Sequence, residues 1–244
     1  VLISSMRDHQ KYFHVVKADG ALMPTFIAVS NIGSRRGARV QSGNEQVLQA
    51  RLTDARFFWE EDRRLPLEVR VEDLKGVLFH RELGSMYDKV QRLEQLAETI
   101  ADLLGWDASR AVRAAHLCKA DLLTQMVGEF PKLQGTMGRH YARDNGEPKE
   151  VALALEEHYL PRHAGDVLPT TRAGKIVALA DRIDTLTGIF YAGEEPTGER
   201  DPYALRRAAV GVIRILVEKK LALDLAHLVN IATSAYASYG CSID

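Results

Sequence analysis

Cysteine is scarce in this sequence: the two cysteines among its 244 residues are Cys118 and Cys241. They lie far apart in the chain and are too few to form a zinc site without help from histidines or carboxylates. This usage favours a reduced, cytoplasmic protein.

Long apolar runs are also missing. No stretch of about 18 apolar residues occurs, so the sequence predicts no membrane-spanning segment. The first residues, VLISSMRDHQ, lack the basic and apolar segments of a secretory signal, and they do not begin with methionine. We therefore expect this start to be a boundary inside a longer protein.

The composition is otherwise that of a protein with a well-formed interior. With 46% apolar and 27% charged residues, the chain can bury a core for one large domain or two smaller ones. Its net charge of −1 argues against a strongly basic nucleic-acid binder. Residues 1–56, however, contain eight Lys or Arg and four Asp or Glu, which makes them net +4 and the remainder net −5. The N-terminal section could therefore face RNA.

Two short β-favouring runs, residues 12–16 and 26–29, are separated by a segment that contains Asp19-Gly20, a strong hairpin signal. They predict an antiparallel pair of strands. Residues 31–43 then hold three glycines and three arginines, Arg35, Arg36 and Arg39. This composition predicts a flexible basic loop, which is either a solvated turn or a phosphate contact.

A long helix is predicted from Asn44, because Asn caps helices well and Glu45 follows in the first turn. Its apolar residues recur at helical spacing and predict a core stripe, made of Val47, Leu48, Leu52, Ala55, Phe58 and Trp59. From residue 69 onward the pattern predicts helices, with a helix or turn at 77–80. The predicted helices cover 87–104, 107–127, 151–159, 171–190, a segment starting at 201, and 223–239. The expected fold class is α+β, predominantly α, with a small N-terminal β-containing segment.

One segment is far more specific than these patterns: residues 119–142 read KADLLTQMVGEFPKLQGTMGRHYA. Together with SSMRDHQKYFHVV, GNEQVLQARLTDARFFWEED, ALEEHYLPRHAGDVLPTT and ALADRIDTLTGIF, it closely resembles the β subunit of bacterial heterotetrameric glycyl-tRNA synthetase. The resemblance covers nearly the whole chain, which is too short to be the complete subunit. It therefore implies an internal fragment of that subunit.

The resemblance implies a role in attaching glycine to tRNA(Gly). In this family the α subunit carries the class II aminoacylation site, and the β subunit mainly engages tRNA within an α2β2 holoenzyme. ATP and magnesium belong to the holoenzyme reaction, and we expect no cofactor in this fragment. The sequence has no glycine-rich phosphate loop of the P-loop type, so we expect no ATP site and no catalytic residue here.

Two domains are expected from the same resemblance. Residues 1–64 would be the end of the N-terminal tRNA-binding, β-containing region with a linking helix, and residues 65–244 an all-helical domain of the HD type. Cationic side chains that could contact tRNA phosphates are Arg7, His9 and Lys11, the arginines at 35, 36 and 39, and Arg206 and Arg207. Arg206 and Arg207 could equally form the solvated side of an amphipathic helix.

HD-type phosphohydrolases surround one or two metal ions with a His, an adjacent His-Asp pair and a distant Asp. Here His80 falls where the first ligand belongs, Asp181 where the last belongs, and His158 where an auxiliary ligand belongs. Cys118 and Lys119 stand where the adjacent His-Asp pair is expected. A lysine at this position would repel a divalent ion, and in a partly buried site this repulsion costs on the order of several kcal/mol. We therefore expect the metal to be lost.

Three alternatives stay open. In the first, Lys119 forms an ion pair with Asp181 or Asp184 and holds the degenerate pocket together. In the second, an altered metal site persists and the chain is a phosphohydrolase. In the third, the chain binds neither RNA nor metal and serves subunit assembly.

Overall fold

The computed structural model describes residues 1–31, 33 and 36–238. The chain divides into two compact units. Unit 1 comprises Val1–Arg64 and Thr124–Leu133, and unit 2 comprises Leu65–Leu123 and the chain from Gln134 onward. The segment Thr124–Leu133 therefore belongs to unit 1 although the sequence on both sides of it belongs to unit 2.

Unit 1 contains the predicted hairpin. Helix α1 (Leu2–Ser4) continues as a π-helical turn, Ser5–His9, before strands β1 (Phe13–Val16) and β2 (Leu22–Ile27). The two strands pair antiparallel, as the sequence predicts. Asp19 supports the turn between them, because its Oδ1 accepts a hydrogen bond of 2.9 Å from the amide of Ala21.

Helix α2 (Gly37–Asp62) begins before the predicted start at Asn44. Asn44 is not a cap: its side-chain oxygen accepts a 2.9 Å hydrogen bond from the hydroxyl of Tyr12. Arg39 accordingly lies on a helix instead of in the predicted loop, and it is exposed. Arg36 is the N-cap residue, and Arg35 lies outside the described residues.

The predicted core stripe of α2 is only partly buried. Of its predicted members, Ala55 is fully buried, Phe58 and Trp59 are half-buried, and Val47 is exposed. The helical spacing is therefore right, while the predicted depth of burial is wrong for most of these positions.

A buried aspartate joins α2 to the second segment of unit 1. Asp62 is 3% exposed, and its two carboxylate oxygens each accept a 2.9 Å hydrogen bond, from the amides of Gln125 and Met126. These amides open helix α6 (Gln125–Glu129), where intrahelical partners are missing. The side chain of Thr124 accepts from the amide of Val127 and caps the same helix.

Unit 2 begins with helix α3 (Leu67–Val71) and contains the remaining helices. These are α4 (Met86–Leu103), α5 (Ser109–Leu117), α7 (Thr136–Asp144), α8 (Lys149–Glu157), α9 (Arg172–Tyr191), α10 (Leu205–Glu218) and α11 (Leu225–Ser238). The predictions for residues 87–104, 151–159 and 171–190 match α4, α8 and α9 closely. Helix α10 starts at Leu205 instead of at 201, because Asp201 accepts hydrogen bonds from the amides of Leu205 and Arg206.

The all-helical prediction for residues 65–244 is wrong in one place. Strands β3 (Leu78–His80) and β4 (Gly84–Ser85) form a small antiparallel pair where a helix or turn was expected. Ser85 then caps α4: its hydroxyl accepts from the amide of Asp88, and the carboxylate of Asp88 accepts from the amide of Ser85. This reciprocal capping fixes the start of α4 directly after the strand pair.

A single helix over residues 107–127 is also wrong. Helix α5 ends at Leu117, and a 3₁₀ turn, Ala120–Leu123, follows it. The break has a physical cause, because Asp121 is buried and accepts hydrogen bonds from the amides of Gly135 (2.6 Å) and Gly138 (3.0 Å) at the start of α7. Gly135 has φ +77°, and a Cβ there would lie 2.6 Å from the ring of Tyr159.

Helix α9 is the centre of unit 2 and packs against α4, α5, α8, α10 and α11. Its start is capped by Thr171, whose hydroxyl accepts from the amide of Gly174 at 2.9 Å. The buried carboxylate of Glu157 accepts from the amides of Thr170 and Thr171. Helix α9 is buried on most of its surface, so polar side chains on it need partners inside the unit. Within the described ranges, every helix is too short or too polar to cross a lipid bilayer.

We predict that Asp62→Ala loosens unit 1. The substitution leaves two helix-terminal amides without their acceptor, which costs about 2 kcal/mol. Amide hydrogen exchange at Gln125 and Met126 should accelerate, and the urea midpoint should fall. Asp54→Ala, at an exposed position on the same helix, is the matched control. Unchanged exchange at both amides would show that Asp62 does not hold this segment.

The buried Asp121 predicts a specific pH dependence. Burial raises the pKa of Asp121 to about 6, above its ordinary value of 3.8, despite the two amide donors. The contribution of this group to stability is therefore fully present below pH 4 and is lost as the pH rises to 6. Since each pKa unit corresponds to about 1.4 kcal/mol, the loss is about 3 kcal/mol.

Asp121→Asn keeps an acceptor but does not ionise, so this part of the stability slope between pH 4 and 6 should disappear. Urea unfolding at several pH values measures it, with Asp102→Asn at an exposed position of α4 as the control. A slope that survives in the Asn variant would contradict the assignment to Asp121.

Candidate functional site

The most unusual feature of unit 2 is a carboxylate held between two buried lysines. Asp181 lies on α9, and its Oδ1 is 3.1 Å from Lys89 Nζ while its Oδ2 is 3.1 Å from Lys119 Nζ. Lys89 is 2% exposed and Lys119 is 5% exposed. Oδ2 of Asp181 thus accepts a hydrogen bond from Lys119, while Oδ1 is ion-paired with Lys89 by distance without accepting a hydrogen bond from it.

A second carboxylate extends this arrangement. Asp184, one turn along α9, lies with Oδ2 2.7 Å from Lys89 Nζ and Oδ1 2.7 Å from Arg92 Nε. The hydroxyl of Tyr236 on α11 donates to Asp184 Oδ1 at 2.8 Å. We call these residues, Lys89, Arg92, Lys119, Asp181, Asp184 and Tyr236, the lysine–aspartate cluster.

The charges in the cluster stabilise one another. Burial alone would raise the pKa of Asp181, but Lys119 and Lys89 outweigh it and hold that pKa far below the ordinary range. Burial likewise opposes the charge on Lys119, yet Asp181 raises its pKa above the ordinary value. At neutral pH Asp181 and Lys119 are therefore both charged.

The neighbouring imidazole of His158 is neutral and oriented. Its Nδ1 lies 2.8 Å from the carbonyl oxygen of Leu155, to which it donates, so Nε2 is the acceptor. Lys119 Nζ donates to this Nε2 at 3.0 Å. Burial, followed by the charge on Lys119, lowers the pKa of His158 well below its ordinary value. The nitrogen of the auxiliary metal ligand predicted from sequence therefore accepts a hydrogen bond from a lysine.

The structure brings together three of the five residues predicted for the HD-type pocket, because Lys119 contacts both His158 and Asp181. The expected ion pair between Lys119 and a carboxylate of α9 is present. Cys118 is buried, its Sγ donates to the carbonyl of Ala115, and burial raises the pKa of its thiol to about 12. His80, on β3, instead bonds through Nε2 to Glu194 Oε1 at 3.0 Å.

Sequence reasoning missed Lys89, Arg92 and Tyr236. A signal for the first two was available, because Lys89 precedes Leu93 by four residues and Arg92 precedes Leu96 by four, which places both on the apolar stripe of α4. A charged residue on such a stripe needs a buried partner. The sequence could not reveal which carboxylate that partner is.

These residues do not fit a metal ion. Within residues 1–31, 33 and 36–238, no group of three or more His, Cys, Asp or Glu side chains is arranged to hold one. The two carboxylate oxygens of Asp181 and Nε2 of His158 already face ammonium groups. We therefore derive no chemical step through a metal.

A cleft of about 390 Å³ opens beside the cluster. Its charged lining consists of Asp181 and three arginines, Arg162, Arg182 and Arg207. Tyr203, Gln134 and the neutral His158 also line it. Since Asp181 is already paired with two lysines, the cleft is a cationic surface.

The residues predicted from sequence to contact RNA differ in their exposure and in the partners that they already have. In unit 1, the side chain of Arg7 is 60% exposed, whereas His9 stacks on Phe130 and lies 3.6 Å from Glu129. Lys11 is exposed and donates to the carbonyl of Asp8. In unit 2, Arg206 and Arg207 are both exposed on α10, and of the two only Arg207 lines the cleft.

The structure thus defines a helical unit with a paired lysine–aspartate cluster beneath a cationic cleft, together with a smaller unit that carries a hairpin. The family model described as glycyl-tRNA synthetase beta subunit matches residues 1–242. The chain is 53% identical over 237 residues to the glycine–tRNA ligase beta subunits of Pseudomonas putida (strain W619) and Stutzerimonas stutzeri (strain A1501), covering 97% of this chain and 35% of each relative. It is 54% identical over 235 residues to that of Chromohalobacter salexigens, covering 96% of this chain and 34% of the relative.

The chain therefore belongs to the glycyl-tRNA synthetase β subunit family. It spans about a third of the length of the curated relatives that it matches.

We predict that Lys119→Met destabilises unit 2, because it removes one of the two cations from the buried Asp181. The expected loss is on the order of 3 kcal/mol in urea unfolding at pH 7. Lys119→Met combined with Asp181→Asn should recover part of this loss, since the uncompensated charge is then gone. Lys149→Met, at an exposed position, is the control.

The difference between wild type and Lys119→Met should shrink in acid. The lowered pKa of Asp181 makes its contribution to stability present above about pH 4 and lost as the pH falls below it. Equal stability of the two proteins at pH 7 would show that the ion pair contributes nothing.

Proposed function

We propose that this chain is a non-catalytic part of a glycyl-tRNA synthetase β subunit. In this proposal unit 2 is a degenerate HD-type domain that supports tRNA recognition and subunit assembly. Glycine is attached to tRNA(Gly) in an ATP-dependent reaction on the α subunit of an α2β2 enzyme in the cytoplasm, and ATP and magnesium act there. The observation that carries the non-catalytic role is the ion pairing of both oxygens of Asp181 with lysines.

The physical argument concerns charge. A divalent cation at Asp181 would sit within a few ångströms of two ammonium groups, and each repulsion between a double and a single charge is worth about 8 kcal/mol at 4 Å when the effective dielectric constant is about 20. A metal ion at Asp181 would have to displace both ammonium groups from the carboxylate. Because the two lysines are buried, no water would replace the contact that they lose. Metal-activated water, which an HD-type hydrolysis requires, is therefore disfavoured at this position.

The proposed RNA contacts rest on charge and exposure. In unit 1 these are Arg7, Lys11 and Arg39, all exposed, together with Arg36 at the N-cap of α2. In unit 2 the contact is Arg207 on α10, whereas Arg206, which donates to the backbone oxygen of Thr197, belongs to the solvated side of the helix. Side chains of this kind neutralise phosphates and make binding fall as salt is added. His9 is the weakest of the proposed contacts, because it already packs on Phe130.

A hydrolysis assay tests the non-catalytic role. The chain is incubated with Mn²⁺ and bis(p-nitrophenyl) phosphate, and separately with nucleotides, and product release is compared with that from Mn²⁺ alone. We expect no excess hydrolysis from the wild type. The variant Cys118→His with Lys119→Asp, which restores the His-Asp pair, should bind Mn²⁺ more tightly than the wild type without useful turnover.

Asp181→Ala is the variant that distinguishes the non-catalytic role from the phosphohydrolase alternative. Metal-dependent hydrolysis by the wild type that disappears in Asp181→Ala would contradict the proposal and favour the phosphohydrolase alternative. Circular dichroism of each variant establishes that it is folded before activity is compared.

A further inference from the structure

The cleft beside the lysine–aspartate cluster carries more positive charge than its carboxylates balance. Three arginines line it. The carboxylate in the lining, Asp181, is already ion-paired with Lys89 and Lys119. The surplus lies on Arg182 and Arg207, because the third arginine, Arg162, is paired through Nε with Asp166 Oδ2 at 3.0 Å.

Arg182 is a buried cation whose partners are carbonyl groups. It is 8% exposed, and its guanidinium donates to the backbone oxygens of His158, Ala178, Tyr159 and Pro161 at 2.9 to 3.1 Å. In the described part of the chain, none of its hydrogen bonds goes to a carboxylate. These carbonyls fix the guanidinium in position, and its charge is compensated in part by Asp181, a carboxylate that two lysines already share. A buried cation with so little compensation attracts an anion.

Arg207 faces Arg182 from α10. It is exposed and lines the cleft, and its positive charge also acts on the carboxylate of Asp201, whose pKa it helps to lower. Helix α10 approaches closely here, because Gly211 leaves room for Arg182: a Cβ at Gly211 would lie 2.7 Å from Arg182 Nε. Burial lowers the pKa of Arg182, Asp181 opposes this in part, and the positive charge on Arg207 lowers that pKa further.

We propose that this cleft binds the phosphate group of a nucleotide, with Arg207 as the direct ligand and the fixed charge of Arg182 behind it. The guanidinium fork matches two oxygens of a phosphate and binds them by parallel hydrogen bonds. A volume of about 390 Å³ accommodates the phosphate with its attached sugar, and Tyr203 and Gln134 line the space that remains.

This inference rests on the proposed function. When lysines take the place of a metal ion at Asp181, the arginines of the cleft are the cations that can bind a phosphate. The phosphate could belong to a free nucleotide or to an RNA strand, and the chemistry of recognition is the same. Two probes separate these sources.

The experiment exploits two adjacent arginines on α10. Arg207 lines the cleft, whereas Arg206 donates to the backbone oxygen of Thr197 and does not line it. The chain is titrated calorimetrically in EDTA with inorganic phosphate, with AMP, and with a short single-stranded RNA that carries or lacks a 5′-phosphate. Arg207→Gln should weaken phosphate and AMP binding about tenfold, the loss of one charge-assisted contact. Arg206→Gln should leave both unchanged, and Arg207→Lys should restore part of the affinity.

Tighter binding of AMP than of RNA would assign the cleft to a free nucleotide, and the reverse would assign it to an RNA strand. No binding of phosphate or AMP at millimolar concentration would overturn the inference. An equal effect of Arg206→Gln and Arg207→Gln would overturn it as well.

Binding that needs Mn²⁺ in place of EDTA would also overturn it, because the ligand would then be held by a metal. The two proposals fail separately. Hydrolysis sensitive to Asp181→Ala refutes the non-catalytic role, whereas loss of metal-independent phosphate binding refutes only this cleft.

Discussion

The pairing of Asp181 with Lys89 and Lys119 is the interaction on which unit 2 depends. It joins three separate parts of the chain, since Lys89 lies on α4, Lys119 follows α5 and Asp181 lies on the central helix α9. Asp184 and Tyr236 extend it to α11. Buried charges of this kind contribute little net stability as a set, but each becomes costly once its partner is removed. The packing of α4, α5, α9 and α11 is therefore constrained to one arrangement by charge as well as by apolar contact.

Features set by local patterns could be predicted from the sequence. The hairpin follows from two β-favouring runs around Asp19-Gly20, and α4, α8 and α9 follow from their helical spacing. Features set by distant partners could not. Asn44 is a residue type that caps helices well, yet it lies inside α2 and its side chain accepts from Tyr12. The helix predicted over 107–127 breaks for the same kind of reason, because Asp121 serves the start of α7.

The candidate site was predictable in part for a related reason. Lys119 and Asp181 could be placed together because both fall at positions of a known constellation, whereas Lys89 belongs to no such pattern. A lysine on an apolar helical stripe indicates that a buried partner exists, but it does not identify that partner. His80 is the opposite case. It lies at a sequence position expected for a metal ligand, yet its ring is hydrogen-bonded to Glu194.

Two lysines at Asp181 supply the same total charge as one divalent ion would. The chemistry is different. A metal lowers the pKa of bound water and so makes a nucleophile, whereas a lysine whose own pKa is raised by Asp181 stays protonated and can neither accept a proton nor coordinate water. His158 cannot compensate, because its acceptor nitrogen is taken by Lys119. The arrangement therefore balances the charge of Asp181 without supplying a nucleophile, while the positive charges of Arg182 and Arg207 line the cleft.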